Sequence, residues 1–446
     1  MNYDVIIVGA GPAGIFAAIE LSMEKGLRTL LVERGKDLHE RERKDLFHGW
    51  GGAGAFSDGK LNLSAEVGGF LGEYLDGPTL AGLINYVDGL YIRFGAPREV
   101  KGLSRTKVAG IADAATDVGL KLVSFPIRHL GTDRCAELLK NLRSELDGRV
   151  EMRFNDEVRE IIVEGGKAKG VRTVAGAEFY SDFVILSPGR GGSHWLEKAA
   201  RDMGLNTAIN PVDIGVRVEV PALAMAPLTD VLHEAKLLYR SRKFDDPVRT
   251  ICMNPYGFVV KERHEGFSTV NGHSYSNRKS ENTNFAILVS TLFTEPFHEP
   301  IAYGKYIATL ANILGDGIIV QRLGDLMRGR RSTVERMREN PVKPTLDDAT
   351  PGDLSFVIPY RYVSDIIEML DVMDRMCPGI KTDATLLYGV EVKFYSMRLR
   401  LTSAMETEIA NLFAAGDGAG VTRGIVQASV CGVVAAREIL KRAHGR

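Results

Sequence analysis

An apolar run, Asp4-Val-Ile-Ile-Val8, leads without a break into Gly9-Ala10-Gly11-Pro12-Ala13-Gly14. Such a run suits a strand buried on both faces of a parallel sheet. Ile15–Lys25 then reads as a helix, and a second apolar strand, Thr29–Val32, ends in Glu33. Strand, glycine turn, helix, strand and acid, in that order, constrain the chain to an α/β fold with a nucleotide at the turn. Gly9 permits the tight turn, Gly11 lets the backbone approach a pyrophosphate, and Gly14 lets helix and strand pack closely. Pro12 and Ala13 open the helix, where free N–H groups and the helix dipole favour an anion. Glu33 follows Gly14 by 19 positions. A carboxylate there accepts hydrogen bonds from both ribose hydroxyls and repels a 2′-phosphate. This unit alone does not separate FAD from NAD.

The other end of the chain does. Asn411–Ala415 reads as a buried strand that runs into Gly416-Asp417-Gly418-Ala419-Gly420, with a helix-like stretch from about Gly424 to Lys441. Asp417 is placed to bind a ribityl hydroxyl. The helix start beyond it, with Thr422, Arg423, Gly424 and Ile425, is placed to face the N1–C2=O edge of a flavin. NAD would be served by the N-terminal unit and its neighbours, so a second polar site favours FAD held between the two termini. Glu151–Thr173 alternates like a hairpin turning at Gly165-Gly166. Asp182–Leu186 reads as a strand and is followed by Ser187-Pro188-Gly189-Arg190-Gly191-Gly192. No acid closes a strand about 20 residues later, because Asn206–Pro211 intervenes, so this is not a second nucleotide fingerprint. In Gly49–Gly59, eight of eleven positions are Gly, Ala or Ser. That composition suits a loop lying flat against a planar ligand, and Trp50 and Phe56 favour an ordered one.

Val5–Gly14, Glu33, the Leu186-Ser187-Pro188-Gly189 turn and Gly416-Asp417 together resemble the FAD domain of the glutathione-reductase-type flavoproteins. They resemble in particular the branch that includes aromatic hydroxylases and geranylgeranyl reductases. Longer stretches, Gly51–Leu61, His129–Arg134, Pro351–Leu354, Gly389–Lys393 and Ala415–Gly420, are similar to a family of FAD-dependent dehydrogenases, or NAD(P)/FAD-dependent oxidoreductases. The resemblance runs along nearly the whole chain. It implies an α/β protein: a Rossmann-type FAD-binding domain with an inserted α+β substrate domain. The cofactor contacts expected are Gly9, Gly11, Pro12, Ala13, Gly14, Glu33, Arg34, Gly52, Ala55, Phe56, Ser57, Val158, Pro188, Gly189, Gly416, Asp417, Gly420, Thr422, Gly424 and Ile425.

The expected division is 1–205 and 389–446 for the FAD-binding domain and 206–388 for the substrate domain. Short alternating strands such as Gly215–Val220, Gly257–Val260 and Phe285–Val289 mark the insertion, with helices at about 303–314 and 363–376. Leu386–Tyr395 is expected to bring the chain back beside the flavin. Alternation there puts Glu391, Lys393 and Tyr395 on one face. On that face Lys393 would stabilise a developing anion and Glu391 would orient it or move a proton, with an ordinary ion pair as the equal alternative. Residues 131–147 read as a helix capped by Thr132 or Asp133. Arg328, Arg330, Arg331, Arg336 and Arg338 read as a solvated helix face or loop, and Cys431 as a small packing residue.

Composition narrows the function. Lys and Arg number 56 against 57 Asp and Glu, so there is no general attraction to nucleic acid or to an anionic membrane. No apolar run approaches the ~20 residues of a membrane span, and the N-terminus enters a strand directly, so a cytoplasmic protein is expected. Four scattered cysteines and nine histidines show no dithiol or metal-ligand spacing, so no metal is expected. The expected activity is a dehydrogenase or reductase passing a hydride between flavin N5 and a small organic substrate. Two alternatives stand beside it. One is a flavin monooxygenase using NAD(P)H and oxygen; the other is an electron-carrying or redox-sensing flavoprotein served by a protein partner.

Overall fold

The computed structural model describes residues 2–444 except 43–44, 265, 276, 292–298 and 395, and omits the side chains of 132 and 133. The chain forms two compact units, one of residues 1–99, 128–210 and 395–446, the other of 100–127 and 211–394. This differs from the expected borders at 205/206 and 388/389, and strand pairing is the reason. Lys121–Val123 pairs with Lys236–Arg240 at one edge of the second unit's sheet, which carries 100–127 with it. Leu386–Lys393 runs unbroken through position 389 inside that same sheet. Thr207–Ala208 instead pairs with Arg398–Leu399 in the first unit.

In the first unit Glu151–Arg153, Thr29–Val32, Asn2–Val8, Glu178–Leu186 and Leu412–Ala414 lie side by side and parallel. Val5, Ile6 and Ile7 are fully buried, as an all-apolar strand covered on both faces must be. The hairpin Val158–Glu164/Lys167–Thr173 turns at Gly165-Gly166 and joins the start of Glu178–Leu186. Glu151–Arg153 is not part of it, being the parallel neighbour of Thr29–Val32. The first helix, Pro12–Ser22, packs on the last, Ile425–His444, so closely that a Cβ on Gly432 would lie 2.0 Å from the Ala13 carbonyl oxygen. The helix expected at 131–147 runs Thr132–Leu146. Its N-cap is Gly131 at φ 83° rather than Thr132 or Asp133, whose side chains lie outside the described residues.

The second unit is built on an eight-stranded sheet in which Val212–Pro221 lies between Leu386–Lys393 and Asn282–Thr291. Period-two alternation sorts its faces. Ile214, Val216, Val218, Phe285, Ile287 and Val289 join one apolar core with residues of the helices Pro300–Gly315 and Tyr360–Met376. Arg217, Glu219 and Asn284, at the intervening positions, are fully buried polar residues. The arginine-rich segment surrounds a buried carboxylate: Asp325 accepts from Arg330 Nε and Ser332 Oγ, both at 2.8 Å, with Arg336 at 3.6 Å. Among the described residues no helix is long and apolar enough to cross a membrane.

Candidate cofactor site

Three turns leave the first unit's sheet side by side. Val8 pairs with Leu186, and Leu186 with Ala414, so Gly9–Gly14, Ser187–Gly192 and Gly416–Gly420 emerge together at the carboxyl ends of neighbouring parallel strands. Open α/β sheets bind ligands at such ends. Ser187 clips the first two turns together: its N–H donates to Val8 O at 2.8 Å, and its hydroxyl lies 2.9 Å from Val8 O and 3.0 Å from Gly9 O. The first and last turns also touch, since a Cβ on Gly416 would sit 3.0 Å from Ala13 Cβ. Gly418 is as close to the middle turn, its Cβ position being 2.7 Å from Gly189 O and 3.0 Å from Pro188 Cγ.

The glycines of the first turn differ in what surrounds them. A Cβ at Gly9 would meet Ser187 O at 2.2 Å, and one at Gly14 would meet Gly9 O at 1.9 Å. At Gly11 a Cβ would meet nothing within 4 Å. Gly11 caps the first helix with Pro12 next, so unpaired backbone N–H groups open on this space. Room for a pyrophosphate is thus present where the fingerprint requires it, and the residues fit a dinucleotide.

Glu33 is 6% exposed and already occupied by backbone. Its Oε2 accepts from Ala10 N, and its Oε1 from Gly35 N and Gly49 N, each at 2.8 Å. A carboxylate has about four acceptor sites, so one remains for a ribose hydroxyl. Glu33→Gln would turn an NH2 toward at least one of these N–H donors. We expect a loss of roughly 1–3 kcal/mol in the protein free of cofactor, read as a lower denaturation midpoint.

The glycine-rich loop is ordered against the first turn. Gly51 N donates to Ala10 O at 2.8 Å, and a Cβ on Gly52 would stand 3.1 Å from Gly11 Cα. Trp50 is fully buried with its indole N–H on Leu139 O, while the Arg41 guanidinium lies over Phe56 and holds the carbonyls of Trp50 and Gly52. Burial pulls Arg41 down to about 10, which leaves it charged at neutral pH. Residues 52–56, including Ala55, form a short helical turn that Ser57 ends. Arg34 reaches the middle turn, donating to Gly191 O at 2.9 Å beside His48, whose pKa falls through burial and the Arg34 charge. Val158 begins its hairpin strand and is buried.

At the last turn Asp417 Oδ1 accepts from Thr422 Oγ1 at 2.7 Å, and Arg190 stands 3.9 Å from Oδ2. Burial lifts this carboxyl above its ordinary pKa, opposed by Arg190, Thr422 and the N–H of Gly424. The final helix starts at Ile425. Gly420 has φ 74° and lies against Met397, so a side chain there is barred twice. Ser187, Arg41 and Arg190 were missed as site residues. Ser187 and Arg190 stood in a turn already singled out, whereas nothing local marks Arg41.

The expected catalytic residues lie in the second unit. Glu391 is fully buried, paired bidentately with Arg217 at 2.7 and 2.8 Å and with Lys393 at 2.9 Å. Tyr395 lies outside the described residues. Burial raises the Glu391 pKa, but Arg217 and Lys393 outweigh it and hold the carboxyl below its ordinary value. Burial lowers Lys393, and Glu391, with Cys252 and Glu262 beside it, together outweigh that and hold the ammonium above its ordinary value. Both groups therefore stay charged at neutral pH.

Residues 2–49 match the family model described as FAD binding domain, and residues 211–394 match that described as FAD-dependent protein, C-terminal domain-like. A Clostridium beijerinckii protein described as uncharacterized is 28% identical over 482 residues, covering 98% of this chain and 80% of its own. Among solved structures, glycine oxidase from Geobacillus kaustophilus has a TM-score of 0.42 at 13% identity, covering 99% of this chain and 95% of that one. L-proline dehydrogenase from P. horikoshii has a TM-score of 0.44 at 11% identity, with coverage of 99% and 94%. Likeness at that level carries no argument about activity. The matched models and the cradle agree on the cofactor, which is FAD.

Proposed function

We propose that this FAD-dependent oxidoreductase is a dehydrogenase or reductase that passes a hydride between flavin N5 and a small organic substrate. When bound, FAD supplies the hydride-accepting or hydride-donating atom; the protein supplies orientation and charge. The observation that carries the reading is the cradle of the first unit, three turns at the carboxyl ends of neighbouring parallel strands that fit FAD. In the second unit Lys393 is an ammonium only 14% exposed and fixed on a fully buried carboxylate, and a preorganised cation of that kind would stabilise negative charge developing on a bound substrate. Glu391, clamped by Arg217 and held ionised, then positions Lys393 instead of moving a proton. In the first unit Gly11 and the helix start receive the pyrophosphate, Glu33 keeps its remaining acceptor site for the ribose, and Asp417 takes a ribityl hydroxyl.

The test is anaerobic mixing of the holoprotein with a panel of amino acids, 2-hydroxy acids, polyols, saturated acyl compounds and their unsaturated counterparts, each followed at the flavin absorbance. We expect at least one compound to bleach the oxidised flavin or to reoxidise the reduced one. Lys393→Met should slow that step by roughly 100-fold, the size seen on removing one electrostatic donor, with FAD content unchanged. A panel that neither reduces nor reoxidises the flavin would count against the reading.

A further inference from the structure

We infer that an apolar cavity in the first unit is a docking place for a small apolar gas molecule, dioxygen, beside the cofactor cradle. The cavity has a volume of about 30 Å³ and is lined by Pro12, Gly51, Gly54 and Ile425, all from cradle elements, and by core residues including Leu138 and Leu142. It exceeds the ~10–15 Å³ that one water needs, but a buried water also needs two to four polar partners. The polar groups in its wall are already engaged: Tyr91 OH lies 2.8 Å from Ser429 Oγ, and Cys135 Sγ is 3.4 Å from Gly131 O. Apolar cavities without free polar partners stay dry and take up xenon and small apolar molecules. The glycines at 51 and 54 leave the loop side of the wall without side chains.

Dioxygen here is an electron acceptor, and its docking rests only on FAD being the cofactor, whatever the organic substrate. With reduced FAD in the cradle, two electrons and two protons would pass to dioxygen, whose O–O π bond is reduced, and hydrogen peroxide would leave with the cofactor restored to its oxidised form.

The test uses the holoprotein in two arms that need no substrate. Crystals pressurised with xenon should show a xenon atom in the cavity. Dithionite-reduced protein mixed with aerated buffer should reoxidise with release of hydrogen peroxide. Leu142→Phe, which puts a larger side chain into the cavity's lining, should abolish the xenon site and slow reoxidation at least tenfold at unchanged FAD content. Leu138→Ala should raise both xenon occupancy and rate, and decides the matter if the filled variant does not fold. No xenon in the wild type would overturn the proposal, as would xenon in the apoprotein but not the holoprotein, which would give the space to the cofactor. A reoxidation rate indifferent to both variants would overturn it equally. Failure of the substrate panel touches neither arm.

Discussion

Gly11→Val is expected to give a folded, colourless protein. Gly11 has φ −81° and ψ −177°, an extended conformation that a β-branched residue before Pro12 adopts without strain. Its Cβ would meet no protein atom within 4 Å, so the first unit loses no packing. The added methyl groups instead enter the space open to the pyrophosphate. FAD affinity should fall roughly 100-fold or more, about 2.7 kcal/mol, with the melting temperature of the cofactor-free form little changed. Gly14→Val is the control: its Cβ position is 1.9 Å from Gly9 O, so the same residue three positions on should cost the fold itself. Absorbance after gel filtration, with circular dichroism of both variants, separates the two outcomes. A yellow Gly11→Val protein would show that the cradle is elsewhere.

The second large effect lies in the other unit. Breaking the Arg217–Glu391 pair from either side takes the bidentate partner from a fully buried charge, and Arg217→Met or Glu391→Leu should each lose roughly 3–5 kcal/mol. The double variant should regain part of that, since neither Arg217 nor Glu391 is then left without the other, although Lys393 still loses Glu391. It should not regain all, because Asn254 Oδ1, Asn271 Oδ1 and Asn284 Oδ1 also lose the donors of Arg217. Urea midpoints of the four proteins close the cycle. Additive single losses would mean that the pair is not coupled. The pH dependence has a fixed sign. Glu391 is held below its ordinary pKa, so its contribution is present above the unfolded-state value and is lost as pH falls through the folded one.

Much of the cradle was legible in the sequence, because its parts are local. Val5–Val8, the three glycines, the helix and Glu33 occupy one short stretch, and each obeys a rule of spacing. The C-terminal turn reads as clearly, since Gly416 and Gly420 both take positive φ. What escaped depends on partners far along the chain. Ser187 acts on Val8 and Gly9, and Glu391 finds Arg217 across 174 positions, so neither spacing nor alternation exposes the pairing. The border at 99/100 was missed for a related reason. Lys121–Val123 is three residues long and exposed or half-buried, too short to show a period, and only its pairing with Lys236–Arg240 assigns it to the second unit. Glu33 carried a subtler lesson, since a residue placed for a ligand serves three backbone N–H groups as well.

If turns from both ends of the chain close around one flavin dinucleotide, the cofactor-free protein titrated with FAD in a calorimeter should bind one FAD per chain. The same protein titrated with NAD should show no comparable uptake. A protein that takes up no FAD, or that binds NAD in its place, would contradict that closure.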